Sequence, residues 1–414
     1  MKLNRATYVA GGLSTPFIGK FHPDWIWKKH PDFGKRENPT IEDYITQVTT
    51  QLFDALGVDG TAVDKAFIGN FAGELFNNQG HLGAALAGAH PTLQYKPITR
   101  TEGACASGGL GVAAAIDAIQ AGYDVVLVTG AEVQTTVNAK DGADFLARAS
   151  HYATQRSIDP FTFPALFARR AQVVREAFGI TEEDLADVVV KAYAGASKNP
   201  LAHMRAVKMD KEAAMTSPTF LENAELSPWL RVSHCSQVSD GGSAMLIASE
   251  AGLKRLGVAL DDASRILSYG HAVGSLYETT DALELHTTRH AAQRAYADAG
   301  LTPDKVGVAE VHDCFAITEI LMYEALGFAD KSRGVELSRQ GETGIEGRIP
   351  VNTGGGLMAF GHPVGATGIK QLVELHKQLK GKAGDYQVGG EPSVALAANM
   401  GGDDRTAVVT ILGR

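Results

Sequence analysis

The scarcest reactive side chains in this sequence are its cysteines, three in 414 residues. Cys105 lies in EGACASGGLGVAAAIDAIQAG, where a loop leads into a helix. Unpaired N–H groups at such a helix end favour a thiolate, and Gly103, Ala104, Ala106, Ser107 and Gly108 leave room for a substrate. A buried structural cysteine fits the same neighbours equally well. His362, in NTGGGLMAFGHPVGATG, stands between glycine and proline just ahead of another helix, which fixes its side chain. An imidazole held that way can take the proton of a thiol, the usual activation of a sulfur nucleophile. A capping or core histidine would explain His362 but not the glycines around it. His312 and Cys314 stand two positions apart in EVHDCFAITEI. Two residues at that spacing on a strand share a face, so both are expected to look into one site. There an imidazole N–H would serve a developing oxyanion and a thiol would give or take a proton. Zinc would require further ligands, and no second Cys/His pair has ligand spacing, so no metal site is expected. Cys235, the adjacent His234 and His271 are expected to be structural. The glycine runs match neither a phosphate-binding P-loop nor a dinucleotide fingerprint, which disfavours nucleotide hydrolysis.

The elements that must carry these residues alternate. KAFIGNFAG, DVVLVTGAE and SAMLIASE predict buried strands, and DYITQVTTQLFDAL and GLGVAAAIDAIQAG have helical apolar spacing. The alternation predicts a layered α/β fold. The second half repeats the order of the first. RILSYGHAVG answers ATYVAGGLST, VGVAEVHDCF answers KAFIGNFAG, and PSVALAANMGG answers YDVVLVTGAE. GHPVGATGIKQLVELHKQL stands where CASGGLGVAAAIDAIQAG stood, so Cys105 and His362 occupy equivalent turns. Residues 134–231 break the repeat with little strand character, as an excursion expected to form a lid or ligand-binding region. The expected units are 1–133 with 232–258, the insertion 134–231, and 259–414. A further aromatic and charged stretch, FHPDWIWKKHPDFGKRENPT (21–40), is expected to be surface structure.

Bulk properties limit the function classes. The formal net charge of -9 argues against general nucleic-acid binding. Residues 201–211 (LAHMRAVKMDK) are a local basic exception. Three separated cysteines make no disulfide framework and point to a reducing, cytoplasmic setting. The N-terminus lacks the apolar stretch of a signal peptide, and no apolar run approaches the ~18 residues of a membrane span.

Four stretches together resemble the thiolase superfamily, most closely its sterol-carrier-protein type. They are CASGG, the Gly-His-Pro run at 352–368, the extended match VHDCFAITEILMYEALGF, and the insertion in the position of the family's loop domain. The resemblance implies a thiolase fold: two related βαβαβαββ halves layered α-β-α-β-α, with the loop domain inserted. It implies that Cys105 becomes acylated, that His362 activates it and helps bind the thioester oxygen, and that His312 completes that oxyanion site. The N–H of Cys105 and an amide of the glycine loop, Gly402, would form a second oxyanion hole. Ordinary thiolases carry an acid/base cysteine in a C-terminal Cys-x-Gly loop. LAANMGGDD has no sulfur there, and the resemblance gives that role to Cys314.

The activity implied is acyl-CoA C-acyl transfer, as thiolysis of a 3-oxoacyl-CoA or the reverse Claisen condensation, with coenzyme A as substrate and no permanent cofactor. Its phosphates would meet Arg205, Lys208 and Lys211. A homodimer or tetramer is implied, and an accessory protein partner, with aldol chemistry in some relatives, is the alternative. A non-catalytic, coenzyme A-binding scaffold is the other alternative; four retained reactive side chains count against it.

Overall fold

Along each long strand, successive side chains enter different cores. In the computed structural model, which describes residues 2–414, Val9 lies in one apolar cluster while its neighbours Tyr8 and Ala10 lie in another. Leu396 and Ala398 likewise part from Ala395 and Ala397. This period of two is what a strand buried on both faces requires. The strands are β1 (Thr7–Ser14), β2 (Lys65–Gly69), β3 (Ile98–Thr101), β4 (Val125–Glu132), β5 (Gly241–Ala248), β6 (Ser264–Val273), β7 (Val308–Glu310), β8 (Val394–Gly401) and β9 (Thr406–Gly413).

Hydrogen bonding orders them β3-β2-β4-β5-β1-β6-β9-β8-β7. The order reads almost the same from both ends, because each half contributes an equivalent set. β1 and β6 join the halves antiparallel, with Tyr8 opposite Arg265. The partner of β7 that would mirror β3 is reduced to one parallel bridge, Ala309 to Val351. Both halves turn one face toward a shared middle layer. That layer combines Val112, Ile116 and Ile119 of the helix Ser107–Gln120 with Ile369, Leu372 and Val373 of the helix Val364–Leu379. The helix Ile41–Leu56 covers the outer face of the first half, and His286–Ala299 and Ala316–Ala325 cover that of the second. The result is the α-β-α-β-α layering expected of two related halves.

Local chemistry sets these elements. Thr40 and Asp43 form a reciprocal capping box that starts the helix Ile41–Leu56, and Gly57 ends it at φ 64°. Ile45, Val48, Leu52 and Phe53 on its buried face each contribute roughly 1.5–3 kcal/mol. The two central helices touch backbone to backbone. A Cβ on Gly108 would lie 2.7 Å from the Gly365 carbonyl oxygen, and one on Gly368 would lie 2.2 Å from the Gly109 nitrogen. Glycine at these positions lets the two helix N-termini meet.

Residues 134–231 fold into helices, including Thr162–Phe178 and Glu182–Lys198, with no strand among the described residues. This segment reaches the glycine run of the second half: Asn199 Nδ2 donates to the Gly354 carbonyl (3.2 Å), and the His203 N–H to that of Phe360 (2.9 Å). In the 21–40 stretch, Asn38 bonds both the N–H and the carbonyl of Ile26, while Phe21, Trp27 and Phe33 remain exposed. No helix among the described residues is long and apolar enough to cross a membrane.

Two local expectations change. β7 ends at Glu310, so His312 and Cys314 follow the strand in a loop and do not share a pleated face. β3, only four residues long and mostly polar in sequence, was not predicted.

Candidate active site

Cys105 precedes the helix Ser107–Gln120 in a tight turn. Ala104, immediately before it, has φ 52°, a left-handed conformation that costs free energy for a residue with a Cβ. The Ser107 hydroxyl knits the turn, donating to the Ala104 carbonyl (2.6 Å) and accepting from the Gly103 N–H (3.1 Å). The end of β8 lies against this turn, because a Cβ on Gly401 would sit 2.0 Å from the Gly103 carbonyl oxygen. There the N–H groups of Gly402, at φ 68°, and of Cys105 itself favour the ionised form of the Cys105 thiol.

His362 leads into the helix Val364–Leu379. Its N–H donates to Ser239 Oγ (3.2 Å), and its carbonyl accepts from Gln134 Nε2 (2.9 Å). The Thr367 hydroxyl donates to the Pro363 carbonyl at 3.0 Å and stands 2.7 Å from His362 Nδ1. In that hydroxyl orientation Thr367 Oγ1 accepts from the ring and Nδ1 carries the hydrogen. His362 Nε2 is then a buried lone pair, and no hydrogen-bond partner meets it.

His312 has the opposite tautomer. Asn399 Oδ1 accepts from the Gly109 N–H (3.1 Å), which orients the amide. Its Nδ2 therefore donates, to the Cys105 carbonyl at 3.1 Å and to His312 Nδ1 at 3.3 Å. The hydrogen of His312 is left on Nε2. The two rings meet edge to face with centroids 5.1 Å apart. Cys105 Sγ and a ring nitrogen of each histidine all lie within 4.8 Å of one another. One thiol thus faces one imidazole that accepts and one that donates. The set resembles zinc ligands by type, but Asn399 Nδ2 already engages the lone pair of His312 Nδ1.

Cys314 completes the buried group. Its thiol donates toward Thr318 Oγ1 (3.9 Å), and its carbonyl accepts from the Ser236 N–H (2.9 Å). Asp313, between the two reactive residues, accepts from the N–H groups of Leu357 (2.7 Å) and Met358 (3.3 Å). It thereby ties the His312–Cys314 loop to the glycine run before His362. A Cβ on Gly356, at φ 61°, would lie 2.1 Å from its carboxylate.

Burial dominates the electrostatics. It pushes the Cys105 thiol up to about 12 against the two N–H groups, with the Glu132 carboxylate adding to the rise. The thiolate expected at a helix end is therefore outweighed. Burial, then the Lys370 ammonium, pushes His362 down to about 3. Burial, then His362, holds His312 well below the usual imidazole range. Burial, with the nearby Cys105, raises the Cys314 thiol well above the usual thiol range. The resting cluster is neutral.

The remaining sequence-predicted residues lie elsewhere. Lys211 is held between Glu183 and Asp187, 2.9 Å from each, so its charge is already matched. Arg205 is partly exposed and bonds the Pro200 carbonyl, and Lys208 is exposed. His234 lies 3.1 Å from Glu182, and Cys235 donates to the Arg231 carbonyl at 3.4 Å. Sequence reasoning did not find Asn399, Thr367, Asp313 or Glu132. Glu132 accepts from the N–H groups of Phe71, Ala72 and Gly365, stitching the first half to the helix behind His362. It also missed the buried Arg170, which pairs with Asp403 (2.7 Å) next to Gly402.

Comparison with known proteins agrees with this architecture. The thiolase N-terminal domain model matches residues 31–251, and the thiolase C-terminal domain-like model matches residues 268–414. The chain belongs to the thiolase family. It is 36% identical over 385 residues to the acetyl-CoA acetyltransferase of Methanothermobacter thermautotrophicus, covering 92% of this chain and 97% of that protein. It is 30% identical over 378 residues to sterol carrier protein 2 of Bos taurus, covering 88% of this chain and 67% of that one. Among solved structures, an Ltp2–ChsH2(DUF35) aldolase has the same fold at TM-score 0.78, with 20% identity over 99% of this chain and 97% of that one.

Proposed function

We propose that this protein is an acyl-CoA C-acyltransferase of the thiolase class that works through an S-acyl-cysteine on Cys105. The observation that carries the reading is the partly buried Cys105 thiol within 4.8 Å of a ring nitrogen of each of two buried imidazoles. In the thiolysis direction, Cys105 Sγ attacks the 3-oxo carbon and its proton passes to His362 Nε2. The new alkoxide accepts from the N–H groups of Cys105 and Gly402. When the C2–C3 bond breaks, its electron pair goes to C2, and the thioester oxygen is held by His312 Nε2–H and the protonated His362. The Cys314 thiol protonates C2, releasing acetyl-CoA and leaving a thiolate. That thiolate takes the proton of incoming coenzyme A, whose sulfur displaces Cys105. The departing Cys105 sulfur recovers its proton from His362, and the cycle closes. Every step is reversible, so the same groups serve the Claisen condensation.

In this reading residues 134–231 form the coenzyme A-binding lid on the halves 1–133 with 232–258 and 259–414. Arg205 and Lys208 are the cations for its phosphates; Lys211 contributes less because two carboxylates already hold it. The enzyme acts in the cytoplasm, in lipid metabolism, as a homodimer or a tetramer. Work with an accessory protein is the second reading, favoured by likeness to a structure named for two components, one of them a DUF35 protein. The test is a thiolysis assay over 3-oxoacyl-CoA substrates of increasing chain length, with purified protein alone and after native co-purification. Loss of all turnover in Cys105→Ser is expected, and turnover that survives it contradicts the reading.

A further inference from the structure

The side chain that meets His312 Nδ1 comes from β8. Asn399 is buried on β8, two residues before Gly401, at the spacing where a Cys-x-Gly loop would carry its cysteine. All of its amide groups are in use: Oδ1 accepts from the Gly109 N–H, and Nδ2 donates to the Cys105 carbonyl and to His312 Nδ1. The site is shaped to hold that amide. A Cβ on Gly109 would stand 2.7 Å from Asn399 Oδ1, and one on Gly368 would stand 2.4 Å from it. One side chain thus bridges the nucleophile's own carbonyl and the ring facing the nucleophile, and its orientation is fixed by a backbone N–H.

We propose that Asn399 is a positioning residue that sets the tautomer of His312, holding its hydrogen on Nε2 so that the ring donates into the cavity and does not accept. A neutral imidazole with its hydrogen on Nδ1 would turn a lone pair toward the negative oxygen it is meant to stabilise. The same amide, through the Cys105 carbonyl, ties the nucleophile's turn to that ring, so donor and sulfur keep one relative position. This assignment rests on the reading of His312 as an oxyanion donor, and the experiment separates the two.

Asn399→Asp keeps the size and the acceptor for Gly109 but removes the donor, so His312 is expected to move its hydrogen to Nδ1. Long-range proton–nitrogen spectra of histidine-labelled protein read this directly, with the His312 signals identified by their loss in His312→Gln. Acyl transfer is expected to fall about 10²-fold or more, the usual size of an oxyanion donor. It should recover partly toward low pH, where a protonated His312 donates from both nitrogens. The other titratable groups around the ring (Cys105, Cys314, His362 and Asp313) are unchanged in the variant. Asn399→Ala adds no charge and covers the case of a poorly folded aspartate variant. It should give mixed tautomers and a similar loss without the low-pH recovery. An Nε2–H tautomer retained in both variants overturns the proposal. A changed tautomer with undiminished transfer upholds the assignment of Asn399 and overturns the reading of His312 as the donor.

Discussion

Thr367 Oγ1 stands 2.7 Å from His362 Nδ1, close enough to hold the ring as a base. With its hydroxyl donating to the Pro363 carbonyl at 3.0 Å, it accepts the hydrogen of Nδ1 and leaves Nε2 bare. Thr367→Val keeps the shape and removes the acceptor. The ring is then free to place its hydrogen on Nε2, where it cannot take a proton from Cys105. Steady-state kinetics should show kcat lowered about 10–100-fold, with KM for the acyl-CoA little changed. An unchanged kcat would mean that the ring needs no such fixing.

The pH response of Cys105 distinguishes a neutral resting pair from an ion pair. With the thiol raised to about 12 and His362 lowered to about 3, no thiolate–imidazolium pair forms in the free enzyme near neutrality. Alkylation of Cys105 tracks the thiolate fraction, which rises roughly tenfold per pH unit below the thiol pKa. The measured alkylation rate should climb steadily from about pH 6 to about pH 9. A plateau beginning below about pH 8 would show a thiolate already formed.

Cys314 and Cys105 should separate into two half-reactions. Replacing Cys314 by alanine removes the group that moves the proton at C2 but leaves the nucleophile and both oxyanion sites. Carbon–carbon cleavage should drop ~10²–10⁴-fold, while acylation of Cys105 by acetyl-CoA, where Cys314 serves only a thiolate leaving group, should slow less and still reach completion. Acylation lost as completely as cleavage would contradict the assignment of Cys314 to the proton at C2.

Asp403 anchors the loop that carries the Gly402 N–H. Arg170 is fully buried, and besides that carboxylate its neighbours are the carbonyls of Asp281, Ala282 and Glu284. Asp403→Ala removes the carboxylate hydrogen-bonded to the buried guanidinium, and breaking such a pair typically costs about 3–5 kcal/mol. Chemical denaturation should report that loss. Arg170→Met with Asp403→Leu, which removes both charges, should recover much of it.

Much of this arrangement was readable before folding. The apolar runs in YDVVLVTGAE and PSVALAANMGG, and the glycine-rich approaches to Cys105 and His362, recur in the same order and so revealed two equivalent halves, because a strand buried on both faces is apolar nearly throughout. β3 escaped because ITRT is short, lies at the edge of the sheet and is polar at three of its four positions. Asn399 did leave a signal, as the one amide in an otherwise apolar strand, but its meaning depends on Gly109, 290 positions away. Thr367, in the first turn of the helix Val364–Leu379, and Asp313, in a loop, act through hydrogen bonds that neither periodicity nor spacing marks. The depressed or raised ionisations came from burial, which a linear sequence does not display.

Intact-protein and peptide mass spectrometry after mixing with acetyl-CoA tests the central claim most directly. One acetyl group should appear on the peptide containing Cys105, persist in Cys314→Ala, disappear in Cys105→Ser and be discharged by added coenzyme A. Acyl transfer proceeding at full rate with no adduct on Cys105, or with the acetyl group carried by another residue, would contradict the account.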